Sequence, residues 1–312
     1  MTTAEQSEYA VGTAVADRSR KRRRRRGESN WWRHVVAIVT IVFALFPVVY
    51  VVSAAFNSDP TLVSARPIPS DVTLDNFRQI LSTEQADPDA PKANYVRWYA
   101  NSIIIPGVAA ILSVFFGALA AYAFSRFRFR GRRIGMLMLL LIQMFPQFLA
   151  LVAIYVILLN LGDVFPELGL NTKTGLILVY LGGAMGVNTW LMKGFFDTIP
   201  SELDESARVD GATPSQVFWA VVVPLAVPVL AVVALISYIF TLNEFVIASA
   251  VLQSTDNYTL VVGLRGFISE QYAKQWGPFA AGVLLAAIPP TLLFLALQRF
   301  IVEGLTRGAV KG

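Results

Sequence analysis

Six apolar runs, each about as long as the ~20 residues a helix needs to cross a bilayer, constrain this chain more than any other feature. They fall approximately at Val35–Phe56, Ser102–Phe124, Gly135–Leu159, Thr174–Met192, Val217–Phe240 and Phe279–Leu297. In hydrocarbon a backbone must satisfy its own N–H and C=O groups, so runs of this length and uniform apolarity fold as helices. Composition agrees, since 55% of the residues are hydrophobic and only 15% are charged. Together these predict an all-α integral membrane protein with six transmembrane helices rather than soluble domains. The chain has no cysteine, which removes disulfides, thiol catalysis and thiolate metal sites. Its single histidine, His34, sits at the edge of the first run and reads as an interfacial side chain rather than a catalyst or ligand.

Charge sets the orientation. Most of the 26 Lys and Arg lie on segments that share one side if the N-terminus is inside. These are the N-terminal tail through Arg33, Arg126, Arg128, Arg130, Arg132 and Arg133 after the second run, Lys193 and Arg208, and the C-terminal Arg299, Arg307 and Lys311. The bias places both termini in the cytoplasm of a multi-pass protein. Residues 1–34 then form a basic, disordered cytoplasmic tail, 35–302 the six-helix membrane domain, and 303–312 a cytoplasmic C-terminal tail. The run Arg22 to Arg26 is compatible on composition with a nucleic-acid arm or a twin-arginine signal. A block placed directly before a span is better read as holding orientation and touching anionic membrane lipid, with no nucleic-acid partner. Trp31 and Trp32 follow where an aromatic belt belongs.

Between the fourth and fifth runs lies a polar island, Pro200 to Pro214, in an otherwise apolar second half. Ser201 is a good N-cap, and Glu202, Asp204 and Glu205 put negative charge in the first turn, where the backbone dipole favours it. Gly211 supplies a residue able to end the helix in the left-handed conformation. Thr213-Pro214-Ser215-Gln216 reads as a capping box with proline at the first helical position. Leu203 and Ala207 share a face that nothing local obviously buries, as on a helix that docks to a partner.

Glu205-Ser206-Ala207, Gly211 six residues after the Glu, and Pro224 closing an apolar run resemble the EAA loop of bacterial ABC-transporter permeases. That pattern is Glu-Ala-Ala, three residues, Gly, nine residues, then Ile-x-Leu-Pro; here Ser206, Val221 and Val223 depart mildly from it. Further stretches narrow the likeness to the MalG-type permeases of maltose/maltodextrin importers. They include Gln143-Met144-Phe145-Pro146, Gly169-Leu170-Asn171-Thr172, Tyr180-Leu181-Gly182-Gly183 and Gln275-Trp276-Gly277-Pro278. The likeness runs from about Asn101 to the C-terminus, so 101–302 would be the ABC importer core, and it is weak before that.

The resemblance implies a type I ABC importer permease fold with a cytoplasmic coupling helix, in a bacterial plasma membrane. Glu205, Ser206, Ala207, Asp210 and Gly211 would form the loop that meets the ATPase. Gln253, Ser254, Thr255, Asp256, Asn257 and Tyr258 would contact the extracellular sugar-binding protein. Lys311 and Gly312 would reach the ATPase interface. The implied partners are a second, MalF-like permease, two copies of a cytoplasmic ABC ATPase and the sugar-binding protein. The implied cargo is maltose, a maltodextrin or a related oligosaccharide.

Within the membrane, Gln143, Gln147 and Asn188 lie beside helix-disturbing Pro146 and Gly182-Gly183. They would either line a translocation pathway or hydrogen-bond between helices, with small residues such as Gly117 and Ala121 packing nearby. Glu244 would be a gate, a partner contact or an interfacial acid. No Gly-x-x-x-x-Gly-Lys-Ser/Thr loop, metal cluster or nucleophile–base set occurs, so no cofactor is expected and the chain is not itself the ATPase. A stand-alone secondary transporter is the alternative, and the near absence of charge within the spans tells against it.

Overall fold

The computed structural model describes residues 31–58, 68–69, 71–82, 94–269 and 275–309; Gln147 and residues 301–309 are described by backbone alone. Regular structure among them is helical, apart from one isolated antiparallel bridge between Asn57 and Val72. The chain divides into two units, Met1–Tyr50 and Val51–Gly312. Of the first unit, only part of α1 (Trp31–Phe56) is described. That part leaves nearly every apolar side chain exposed, Phe43 at 82%. Such a surface suits lipid or a partner, not water.

The second unit contains α2 (Asp75–Leu81), α3 (Tyr95–Arg126), α4 (Arg132–Met144), α5 (Leu151–Val164), α6 (Lys173–Phe196) and α7 (Ser201–Val209). After them come α8 (Pro214–Leu242), α9 (Val246–Val251), α10 (Leu260–Arg265), α11 (Trp276–Ala286) and α12 (Ile288–Ala309). Among the described residues, five stretches are long and apolar enough to span a membrane: α1, α3, α6, α8 and Trp276–Phe300. The expected third span is two helices, Arg132–Met144 and Phe148–Val164, bent 84° apart. Pro146 explains the break. It has no N–H for the helix ladder and disfavours helical geometry in the residue before it. Phe145 accordingly takes extended angles, φ −75° and ψ 126°.

The second span also starts earlier than its apolar run, at Tyr95 rather than Ser102. Ser102 therefore does not open this helix; it and Asn101 lie inside it, and their side chains serve a loop described below. A short π-helical segment, Phe218–Val222, precedes Pro224 in α8. Pro224 cannot donate to the preceding turn, and a π-turn is one way a helix absorbs that loss.

The core is built where α3 meets α6 and α8. Ala118, Ala121, Tyr122, Met192, Phe196, Val217 and Val222 form one buried cluster, and Ile105, Ala109, Leu176, Ile177, Ile247 and Ala248 form another. α3 and α6 approach closely at Gly117, where a Cβ would lie 2.6 Å from Met192 Cε and 3.3 Å from Asn188 Cβ. Small residues permit this kind of approach between membrane helices. Large side chains such as Ile111, Val152 and Phe240 point outward, at 69%, 75% and 72% exposure.

Candidate coupling helix and outer loop

The polar island folds as α7, a turn, and the start of α8. α7 begins at Ser201 with Pro200 in the capping position, and no side chain caps it. Ser201 is therefore the first helical residue, not the N-cap, because Pro200 already takes the non-helical conformation that a cap needs, φ −54° and ψ 132°. The C-terminus ends in a Schellman arrangement: Ala212 N–H donates to the Ala207 carbonyl at 2.9 Å and Gly211 N–H to that of Arg208 at 3.0 Å. Gly211 carries φ +85°, the left-handed conformation glycine supplies. The capping box follows, with Gln216 N–H donating to Thr213 Oγ1 at 3.3 Å and Thr213 N–H to Gln216 Oε1 at 2.8 Å.

α7 has two faces. Glu202, Glu205, Ser206 and Asp210 are exposed beside Leu203 and Val209, the latter two 42% and 87% exposed. Ala207 packs partly against the core cluster of α3, α6 and α8. Asp204 is buried, with Oδ2 2.7 Å from Nε of Arg126. The approach is ionic rather than a well-aligned hydrogen bond, and Asp204 Oδ1 has no donor among the described residues. Sequence reasoning had assigned Asp204 only to the helix dipole. Nearby, Asp197 accepts from Ser125 Oγ at 2.7 Å and pairs with Lys193. Burial raises its pKa, but the Lys193 and Ser125 hydrogen bonds and the charges of Lys193 and Arg132 outweigh this and hold the carboxyl below its ordinary value.

At the other end of α3, residues 253–258 form a compact loop. Gln253, Thr255 and Asp256 are exposed, whereas Ser254, Asn257 and Tyr258 are half-buried. Residues outside the loop shape it. Asn171, at φ +57°, accepts through Oδ1 from the backbone N–H of Gln253 at 3.0 Å and Ser254 at 2.9 Å. Its carbonyl accepts from Asn257 Nδ2 at 2.5 Å. From α3, Trp98 Nε1 donates to the Thr255 carbonyl at 2.6 Å, and Asn101 Nδ2 donates to the carbonyls of Asp256 at 3.1 Å and Tyr258 at 2.9 Å. Arg97 pairs with the Asp256 carboxylate at 2.8 Å. Hydrogen bonds from Arg97 and Asn94, with the Arg97 charge, hold Asp256 below its ordinary pKa. Of these supports only Asn171 carries a local signal, as part of the Gly169-Leu170-Asn171-Thr172 stretch of the family likeness.

The intramembrane polar residues part company. Asn188 is buried and joins three spans, donating to Ser113 Oγ of α3 at 3.0 Å and to Ser237 Oγ of α8 at 2.9 Å. Gln143 lines a largely apolar cavity of about 760 Å³ between α4, α5 and α6, and donates to the Gly183 carbonyl at 2.7 Å. The Gln147 side chain lies outside the described residues, as do Lys311, Gly312 and the basic tail through Asn30. Glu244 accepts from the N–H groups of Ile247 at 2.9 Å and Ala248 at 3.0 Å at the start of α9, and from Tyr180 Oη at 2.8 Å. Its carboxylate is thus engaged in holding α9 against α6.

A bundle of apolar spans, with a short helix presenting an outward face between two of them, is the fold of type I ABC importer permeases. A chain of a bacterial ABC transporter involved in importing the acidic polysaccharide alginate shares it at a TM-score of 0.72 and 23% identity, over 88% of this chain and 98% of that one. Residues 113–307 match the family described as binding-protein-dependent transport system inner membrane components, and the chain belongs to that family. It is 39% identical over 286 residues to the maltose/maltodextrin transport system permease protein MalG of Vibrio parahaemolyticus, covering 90% of this chain and 96% of MalG. It is 38% identical over 271 residues to the galactooligosaccharides transport system permease protein GanQ of Bacillus subtilis, covering 87% of this chain and 92% of GanQ. Membership in a binding-protein-dependent family tells against the stand-alone secondary transporter.

Proposed function

We propose that this chain is one of two permease subunits of an ABC importer that carries maltose, a maltodextrin or a related oligosaccharide across the bacterial plasma membrane. Both termini and α7 face the cytoplasm, where α7 seats on one of two ATPase subunits. The loop Gln253–Tyr258 meets the sugar-loaded binding protein outside, and Lys311 and Gly312 extend to the ATPase interface. Gln143 and Gln147 border the pathway at the bent pair α4–α5. Hydrolysis belongs to the ATPase partner, and closure of its two copies rocks the spans between inward and outward access.

The observation that carries this reading is the division of α7. Ala207 and Asp204 anchor it to the spans, while Leu203, Glu205 and Val209 remain exposed on a helix whose C-terminus is fixed by the Gly211 turn and the capping box that follows. Apolar side chains rimmed by charge on a short rigid helix form a docking face. The MalG and GanQ relatives support the oligosaccharide class of cargo.

The test is reconstitution with the copurifying partners, measuring uptake and ATP hydrolysis with sugar-loaded binding protein. Glu205→Lys reverses charge on the docking face. Gly211→Pro forbids φ +85° and displaces the turn. Both are expected to insert normally yet separate hydrolysis from uptake. Normal coupled uptake by both would remove α7 from the mechanism.

A further inference from the structure

Asp204 places a carboxylate 3% exposed on a nine-residue helix whose other acids face outward. Its cation is Arg126, the last residue of α3, with the side chain only 10% exposed. The same guanidinium donates through Nη2 to the Ile199 carbonyl at 2.9 Å, just before α7. Ser125, one residue earlier, holds Asp197. The C-terminal end of α3 therefore grips the segment that carries α7 at Asp197, Ile199 and Asp204.

The N-terminal end of the same helix grips the outer loop. Arg97, Trp98 and Asn101 hold Asp256, Thr255 and Tyr258 as described above, and Ser102 Oγ accepts from Leu260 N–H at 2.7 Å. Between these two sets of contacts α3 is one helix of 32 residues, about 48 Å long at 1.5 Å per residue. Each end of one element is thus attached to a segment that the proposed function assigns to a different partner.

We infer that Arg126 and Asp204 are positioning residues that lock α7 to α3, making α3 the strut that relates the binding-protein loop to the ATPase face. The inference rests on the coupling reading of α7. The chemistry of the pair suits the task. A guanidinium that bridges a carboxylate and a carbonyl fixes orientation as well as distance. A buried pair also resists partial separation, because losing one partner leaves an uncompensated buried charge. α7 is continuous in sequence with α8, but that connection passes through the bend at Gly211; its buried ion pair is with α3, and Ala207 adds apolar packing.

The experiment uses the reconstituted complex and follows ATP hydrolysis with and without sugar-loaded binding protein. The variants are Asp204→Asn, Arg126→Gln, the exchanged pair Arg126→Asp with Asp204→Arg, and Glu205→Lys on the outward face. The neutral single variants are expected to keep their partners and basal hydrolysis but to lose stimulation by about tenfold, the scale of a broken coupling contact. The exchanged pair is expected to recover much of it. A merely structural role would lower basal and stimulated hydrolysis together. If Glu205→Lys abolishes stimulation while Asp204→Asn and Arg126→Gln retain it, the lock is overturned and the coupling reading stands. If Glu205→Lys also retains stimulation, the coupling reading fails and the lock fails with it. Should the neutral variants fail to assemble, the exchanged pair decides: recovered assembly and stimulation support the pairing, and continued failure overturns it.

Discussion

Replacing Asn188 by leucine tests how the spans are held together. The carboxamide is 4% exposed and connects three helices. Nδ2 donates to Ser113 Oγ at 3.0 Å and to Ser237 Oγ at 2.9 Å, while Oδ1 accepts from Ser237 Oγ at 3.2 Å. Hydrogen bonds between membrane helices average about 0.6 kcal/mol each and reach about 1.7 at most, so losing this set costs about 2 kcal/mol. Leucine has as many side-chain heavy atoms as asparagine but is the larger residue, so no cavity opens and overpacking near Gly117 adds to the cost. Ser113 keeps its own bond to the Ala110 carbonyl at 3.0 Å, which limits the loss to the interhelical contacts. Equilibrium unfolding of the detergent-solubilised chain in rising dodecyl sulfate measures the difference. Asn188→Leu unfolding at the parent's midpoint while uptake is lost would refute the reasoning, and would place Asn188 on the transport path instead.

Three further outcomes follow from the geometry. Gly117→Val drives a side chain toward Met192 Cε and Asn188 Cβ and is expected to destabilise the α3–α6 contact by about 1–3 kcal/mol in the same unfolding assay. Asn171→Gly keeps the left-handed backbone but loses the Oδ1 contacts, so protease nicking within 253–258 should accelerate. Asn171→Ala should accelerate it further, because alanine at φ +57° costs about 1 kcal/mol more. The Asp256 carboxyl is held below its ordinary value of 3.8, so its contribution to holding the loop is present above that value and lost as pH falls through the lower folded one. Arg97→Gln should move the Asp256 titration midpoint upward, observable by NMR of the labelled carboxylate, and an unchanged midpoint would count against the pairing.

Much of the fold was legible because hydrophobic length is a local property. The apolar runs located the spans, Gly211 and the Thr213–Gln216 box marked the turn before α8, and the island stood out by charge alone. What escaped was set by contacts distant in sequence. Pro146 was recognised as disturbing a helix, yet nothing local indicated a bend of 84° rather than a kink. Asp204 looked like one more acid in a first turn until Arg126 was found beside it. Asn101 and Ser102 look locally like the opening of a helix, but their polar groups are spent on the backbone of residues 256–260, leaving α3 to begin at Tyr95. The outward docking face was readable in part through Leu203, whereas the supports of the outer loop at Arg97 and Trp98 were not.

On the proposed function, α7 and the loop Gln253–Tyr258 face different partners on opposite sides of the membrane. The chain has no cysteine of its own, so a single introduced cysteine is the one thiol on this subunit. The direct measurement is cross-linking in the assembled complex from Val209→Cys, on the exposed face of α7, and Gln253→Cys, on the exposed rim of the loop. Position 209 is expected to cross-link to the ATPase subunit and position 253 to the sugar-binding protein. Cross-linking of position 209 to the binding protein, or of both positions to the same partner, would contradict it.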